Sequence, residues 1–491
     1  VTTGQEPEPP PDPGYGFRQR AGWLLGPLAL AFTLLSAPPA GLGPEGWHTA
    51  GVAALMATLW ICESIPIPAT ALLPLVLFPV LGLGDVGQAA APFANPIIYL
   101  FLGGFLIALA MQRWGLHRRI AISLIGALGT RPRRLVGGFL LASALVSMWV
   151  SNTATALMML PIALSVAHLL PGGAASARER GSLASALLLA VAYGATTGGM
   201  GTLIGTPPNA LLAAYAASNL GIELGFGRFM LLGVPVVVVA LPIVYLVLTR
   251  VSFRLDEGEV PGVRELIGDE RAKLGPLSRA ERAVLVVFAL TAAGWVSQPL
   301  LARVLPQISD TSIAIAGGLA LFLIPVDLRR GEFVMSWEAT RGLPWEVLLL
   351  FGGGLSLAGA IERHGLSRYL GSLAGGLEGL PTVVIVAAVC FGILMLTELT
   401  SNTATAATFL PIVAALAAGL GQPALLFLIP TALSANCSYM LPVGTPPNAI
   451  VFASGLVTLP QMARAGLLLN LLMVPVLVGL VLLVGPWVFG F

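Results

Sequence analysis

The hexapeptide Ser-Asn-Thr-Ala-Thr-Ala occurs twice, at 151–156 and 401–406, each time inside a long apolar stretch. The copies stand 250 residues apart, and their surroundings repeat in the same register. Phe101, Gly103, Gly104, Ala108, Arg113, Gly115 and Leu116 correspond to Phe351, Gly353, Gly354, Ala358, Arg363, Gly365 and Leu366. Downstream, Leu160-Pro161-Ile162 corresponds to Leu410-Pro411-Ile412. A second motif, Gly-Thr-Pro-Pro-Asn, stands at 205–209 and again at 444–448, an offset of 239. Hydrocarbon tolerates uncharged hydrogen-bonding clusters and broken backbone only where protein or a water-filled cavity satisfies them. Two such places in each half of an apolar chain point to a transporter site at the interface of two repeats.

Only 10% of the 491 residues are charged and 56% are hydrophobic, with a mean hydropathy of +0.90. A soluble domain carries about 25% charged residues, so the chain reads as an all-α polytopic membrane protein. Cys62, Cys390 and Cys437 form no disulfide framework, and the isolated histidines offer no zinc spacing. Residues 1–21, rich in Pro, Glu and Gly, read as a disordered tail without the order of a signal peptide.

A spanning helix needs about 20 apolar residues. Spans are expected at 22–40, 47–62, 66–83, 97–112, 229–249, 283–302, 311–327, 345–361 and 465–490, with longer, broken ones at 182–217 and 423–455. The stretches 135–170 and 382–420 are too long for one crossing and hold the Ser-Asn-Thr clusters at their centres. Each is expected to be a re-entrant helical hairpin with its polar tip near mid-membrane. That leaves about eleven crossings.

A cytoplasmic N-terminus then places 21 of the 25 Arg and Lys inside, and only Arg228, Arg303, Arg363 and Arg368 outside. With that topology the two halves are inverted. The first helix occupies 22–46, the first repeat 47–250, a charged cytoplasmic linker 251–282 and the second repeat 283–491. Segments 115–130 and 364–380 read as interfacial arms.

Ser, Asn and Thr supply neutral oxygens as well as amide and hydroxyl donors. Carbonyl and hydroxyl oxygens suit a hard cation such as sodium, and helix N-termini suit carboxylates or oxyanions. Proline in the Gly-Thr-Pro-Pro-Asn breaks frees carbonyls, and glycine allows close approach. The set describes an anion and sodium ions held side by side with almost no formal protein charge. Glu398 is a membrane carboxylate whose repeat mate is Met148, and either ion coupling or structural hydrogen bonding would explain it. Glu63 and Glu346 read as interfacial residues near span ends. Cys437 is expected to report on conformational change through its thiol.

In these residues, and in Phe-Leu-Gly-Gly-Phe at 101–105 with Leu116-His117-Arg118-Arg119 following, the chain resembles the divalent anion:sodium symporter (DASS) family, the INDY-like carriers. The resemblance runs from about residue 47 to the end. It implies a homodimer in the plasma (inner) membrane, each protomer having a scaffold and a transport domain that moves as an elevator. It implies that Asn152, Thr153, Asn402 and Thr403 meet substrate carboxylates, with Thr206, Thr445 and Pro446 nearby. One sodium site would use Ser147, Ser151, Asn152 and Gly205, and the other Thr397, Ser401, Asn402 and Gly444.

The family also contains sodium-independent exchangers, in which a basic side chain would replace the ion's charge. No Lys or Arg lies within ten residues of either cluster or either Pro-Pro loop, which favours sodium. The leading expectation is sodium-coupled import of C4-dicarboxylates (succinate, fumarate, malate). Citrate, sulfate or another divalent anion is the alternative, and an intramembrane enzyme or a passive anion channel the remote one. No catalytic residue, organic cofactor or nucleic-acid partner is expected.

Overall fold

The computed structural model describes residues 16–169, 174–253, 255, 258–377 and 379–491. Most of the expected tail, residues 1–15, and the linker residues Arg254, Asp256 and Glu257 lie outside the described residues. After a first helix, Phe17–Leu35, the same order of elements runs twice. The first pass is Pro44–Cys62, the short pair Ile67–Ala71 and Pro74–Val80, then Pro96–Arg113 and the arm Leu116–Leu128. The hairpin Pro132–Ser147/Asn152–His168, the broken helix Ala174–Gly199/Pro207–Leu220 and Phe226–Leu246 complete it. The second pass is Arg279–Leu301, Asp310–Leu323, Trp345–Arg363 and the arm Leu366–Ser372. It ends with Thr382–Thr397/Asn402–Gly419, Ala424–Asn436/Pro446–Phe452 and Leu459–Phe489.

Local chemistry sets most boundaries. Pro44, Pro96, Pro132 and Pro207 open helices, where a missing N–H costs nothing. Gly115 and Gly365, repeat mates, both take φ +72 between a span and its arm, a conformation that a Cβ opposes. Along the arm Leu116–Leu128, residues Leu116, His117, Ala121, Ile122 and Ile125 are buried on one face, as expected of a helix lying at an interface.

Two expected spans are shorter than the hydropathy suggests. Residues 66–83 form Ile67–Ala71 and Pro74–Val80, because Pro74 ends the first ladder and opens the second helix, and Pro79 removes a bond near its end. Asp310–Leu323 stops before Pro325, which enters a two-stranded ribbon with Glu332–Phe333. Fourteen residues reach about 21 Å, against a hydrocarbon core of about 30 Å. Among the described residues, seven helices have the length and apolarity of a full crossing, one of them, Asn402–Gly419, being the outgoing arm of the second hairpin. Phe17–Leu35 and Pro44–Cys62 are long enough at 19 residues each but less apolar.

The centre of the molecule is made by the broken helices. Every residue from Leu425 to Asn436 is buried, and the apolar window of Ser182–Gly199 is 94% enclosed by protein, whereas that of Arg279–Leu301 is 22% enclosed. The latter leaves its apolar surface for lipid. The described part of the linker is also less free than its composition suggests. Its helix Val263–Leu274 is clamped to the first arm: Arg118 pairs with Glu270 at 2.5 Å, and Arg119 pairs with Glu281 at 2.8 Å. Arg119 also donates to the carbonyls of Leu274 and Gly275. Lys273 foremost, with help from Arg118, holds the Glu270 carboxyl below the usual carboxylate range despite the opposing effect of burial.

Candidate functional site

Each broken helix is interrupted in the same way. Between Gly199 and Pro207 the chain leaves the helix, and Asn209 closes the gap by donating from Nδ2 to the carbonyls of Thr202 (2.8 Å) and Gly199 (3.3 Å). Between Asn436 and Pro446, Asn448 donates to the carbonyls of Leu441 (3.0 Å) and Ser438 (3.2 Å). All three positions keep the 239-residue offset. The asparagine of each Gly-Thr-Pro-Pro-Asn motif thus satisfies carbonyls left without a helical partner where the backbone departs from the helix. Gly205 and Gly444 are required by space: a Cβ on Gly205 would collide with the Gly199 carbonyl, and one on Gly444 with Ser438 Oγ.

The hairpin tips match as well. Ser147 Oγ donates to Asn152 Oδ1 at 2.5 Å, and Thr397 Oγ1 lies 2.6 Å from Asn402 Oδ1. Thr397 Oγ1 also lies 2.8 Å from the Ala435 carbonyl, so one hydroxyl proton faces two acceptors. An oxygen cluster short of protons is the environment a hard cation stabilises. In the first half, a Cβ built on Gly199 would stand 2.8 Å from Asn152 Oδ1 and 3.1 Å from the Gly205 carbonyl, so these two oxygens converge beside it. Asn152 and Asn402 begin the outgoing helices, whose first N–H groups have no partner within the helix and carry its positive dipole end.

The tips and the breaks surround one cavity of about 1090 Å³. Ser151, Asn152, Thr153, Gly205, Thr206, Ser401, Asn402, Thr403, Gly444, Thr445 and Pro446 all line it. Of the residues expected at the site, Ser147 and Thr397 stand behind the lining, bonded to the two asparagines. Among the described residues, no Lys, Arg or His lines the cavity. Glu63 and Glu346, expected merely at span ends, are at its rim with Gln112 and Trp345. Glu63 ends its helix at φ +49 and pairs with Arg18 at 2.9 Å.

The family described as sodium:sulfate symporter transmembrane region matches residues 21–491. The chain belongs to the divalent anion:sodium symporter family. Among its relatives, the sodium-dependent dicarboxylate transporter SdcS of Staphylococcus saprophyticus is 41% identical over 483 residues, 97% of this chain and 93% of that one. SdcS of Staphylococcus aureus (strain NCTC 8325) is 40% identical over 479 residues, 96% and 92% of the two chains. Two solved structures share the fold at low identity. The YdaH transporter of Alcanivorax borkumensis has a TM-score of 0.56 at 13% identity over 97% of this chain and 99% of that one. MtrF of Neisseria gonorrhoeae, from a class of antimetabolite efflux pumps, scores 0.57 at 14% identity over 95% and 94%.

In this symporter-family chain the open question of Glu398 has a geometric answer. Its carboxylate is buried and accepts hydrogen bonds from the backbone N–H of Tyr439 (2.7 Å), Met440 (2.9 Å) and Leu441 (3.0 Å). Ser438 Oγ and Asn470 Nδ2 add two more. Glu398 therefore folds the second break, the structural of its two readings. At the first break Thr202 serves instead, donating from Oγ1 to the Met148 carbonyl at 2.6 Å and accepting from Gly205 N at 3.0 Å. Cys437 does not suit the reporter role. Its thiol is buried against Met200 Sδ and the Leu433 carbonyl.

Three further residues of the site were given no role by the sequence. Asn209 and Asn448 were legible, because they end a duplicated motif. Asn436 was not: it pairs with residues of the other half, Thr206 and Asn209, and nothing local marks it.

Proposed function

We propose that this chain imports C4-dicarboxylates such as succinate, fumarate and malate in symport with sodium. The observation that carries the reading is a cavity between two helix-starting Ser-Asn-Thr tips, which present neutral oxygens and N–H donors, and among the described residues no cationic side chain lines it. Two carboxylates in such a site repel each other and lose hydration. Sodium ions at the oxygen clusters, Ser147, Ser151, Asn152 and Gly205 on one side and Thr397, Ser401, Asn402 and Gly444 on the other, would offset both costs. The N–H groups and hydroxyls at Asn152, Thr153, Asn402, Thr403 and Thr445 would take the carboxylates, beside Thr206 and Pro446. The relatives at about 40% identity carry dicarboxylate in their names, which favours that anion over sulfate.

With the N-terminus cytoplasmic in the plasma membrane, the rim residues Glu63, Gln112 and Trp345 belong to cytoplasmic helix ends. The cavity then opens inward. Transport requires the two hairpins and two broken helices to move against the remaining helices as an elevator, in a homodimer. Uptake of labelled succinate into proteoliposomes under an inward sodium gradient tests the reading. Equal uptake in choline buffer, or competition by sulfate but not by fumarate, would sink it.

A further inference from the structure

The two Pro-Pro loops are symmetric in backbone but opposite in the polarity of their threonines. Asn209 Nδ2 points at backbone carbonyls of Gly199 and Thr202, which only accept, so its Oδ1 must be the acceptor facing Asn436. Asn436 therefore turns Nδ2 to Asn209 Oδ1 at 3.0 Å, and the same amide donates to the Ala432 carbonyl at 3.1 Å. Its own Oδ1 is left facing Thr206 Oγ1 at 2.5 Å. An amide oxygen cannot donate, so Thr206 must. The orientation of each amide in this chain is dictated by the carbonyls at its end.

Thr206 has spent its only proton inside the protein and offers the cavity lone pairs alone. Its repeat mate Thr445 is different: its Oγ1 accepts from Asn448 N at 3.4 Å, which leaves the proton free. The residue that would correspond to Asn436 in the other half is Thr197, bonded to the hydroxyl of Tyr439. The polarity relay therefore exists on one side only.

We infer that Asn436 is a positioning residue that fixes Thr206 as an acceptor toward the sodium at Gly205, leaving Thr445 as the threonine that donates to the carboxylate. This rests on the sodium-coupled dicarboxylate reading above. A lone-pair oxygen repels a carboxylate and attracts a cation, so the two threonines divide the work: Thr206 turns its oxygen to an ion, and Thr445 its proton to the anion.

The test is a two-dimensional uptake titration, sodium against labelled succinate, on the full chain in proteoliposomes. Thr206→Val and Asn436→Ala should each raise the half-saturating sodium concentration about tenfold, the loss expected for one bond to a charged group. At saturating sodium, the half-saturating succinate should move less than about twofold in both. Because Asn436 acts through Thr206, the double variant should be no worse than the poorer single one. Thr445→Val should do the reverse and raise half-saturating succinate about tenfold. Thr206→Val acting on succinate as Thr445→Val does would overturn the inference, as would multiplying effects in the double variant. If Asn436→Ala fails to fold, the contrast between the two threonine variants decides alone. Wild-type liposomes that ignore sodium would instead overturn the proposed function, and the inference with it.

Discussion

Phe101 and Phe351 stand 250 residues apart in the chain and meet edge to face, ring centroids 5.2 Å apart at 87°. A residue that touches its own repeat mate lies on the axis relating the two halves. The helices Pro96–Arg113 and Trp345–Arg363 therefore cross at the centre of the duplication. Their glycines allow the neighbours in: a Cβ on Gly103 would enter the backbone of Ala314, and one on Gly353 the backbone of Ala71.

Those contacts are with backbone, which cannot give way as a flexible side chain would. Gly103→Ala and Gly353→Ala should each destabilise by roughly 1–3 kcal/mol, the cost of overpacking. Gly376→Ala, where a Cβ meets nothing, should be silent. Thermal unfolding in detergent checks this, and equal midpoints for all three would refute the close-packing account.

At the hairpin tips the proposed site predicts a division between serine and threonine. Thr153→Ala and Thr403→Ala should raise half-saturating succinate about tenfold or more, with saturating substrate largely restoring the rate. Ser401→Ala should chiefly shift the sodium dependence. Ser151→Ala should cost stability as well, since Ser151 Oγ caps its helix through Ala154 N and Ser401 makes no such bond. A titration in which the threonine variants move only the sodium axis would reverse the assignment.

Replacing Glu398 by Leu strips the acceptor from five hydrogen-bond donors at once. Each buried donor left unpaired costs about 1–3 kcal/mol, so the variant should fail to fold or unfold at a much lower temperature. Met148→Leu, at the repeat-related position, should change stability by less than about 1.5 kcal/mol. A well-folded Glu398→Leu protein with normal thermal stability would show that the break holds itself.

The clamp between arm and linker predicts a protease phenotype. With Arg118 and Arg119 paired to Glu270 and Glu281, the helix Val263–Leu274 should resist trypsin at Arg271 and Lys273. The Arg118→Ala/Arg119→Ala variant should be cut there faster. Because Glu270 titrates below the usual carboxylate range, its contribution is fully present at neutral pH. It is lost only as pH falls through that lowered value. Identical cleavage rates for the variant and the wild type would mean the linker is held by something else.

Thiol reactivity should follow burial. Cys62 is partly exposed, while Cys390 and Cys437 are buried. A maleimide should modify Cys62 in the folded protein and reach the other two only after unfolding. Prompt labelling that survives Cys62→Ser would place one of the buried thiols at an opening.

What the sequence determined by itself was everything written in local chemistry and then written twice. Proline, glycine and polar interruptions of apolar runs act on the residues beside them, so the tips at 151 and 401 and the breaks at 205 and 444 could be located from their neighbours. Duplication supplied the pairing between halves that one copy could not. Hydropathy overstated the lengths of two helices because it is blind to the prolines in 66–83 and to the ribbon that truncates 311–327. The tertiary structure alone decided which groups spend their protons on each other. Thr206 and Asn436 are 230 residues apart, and Glu398 and Asn470 are 72 apart. Neither pair recurs in the other half, so no period in the chain announces it. Hydrogen-bond polarity is a property of the whole connected network, and it becomes fixed only when the halves have packed together.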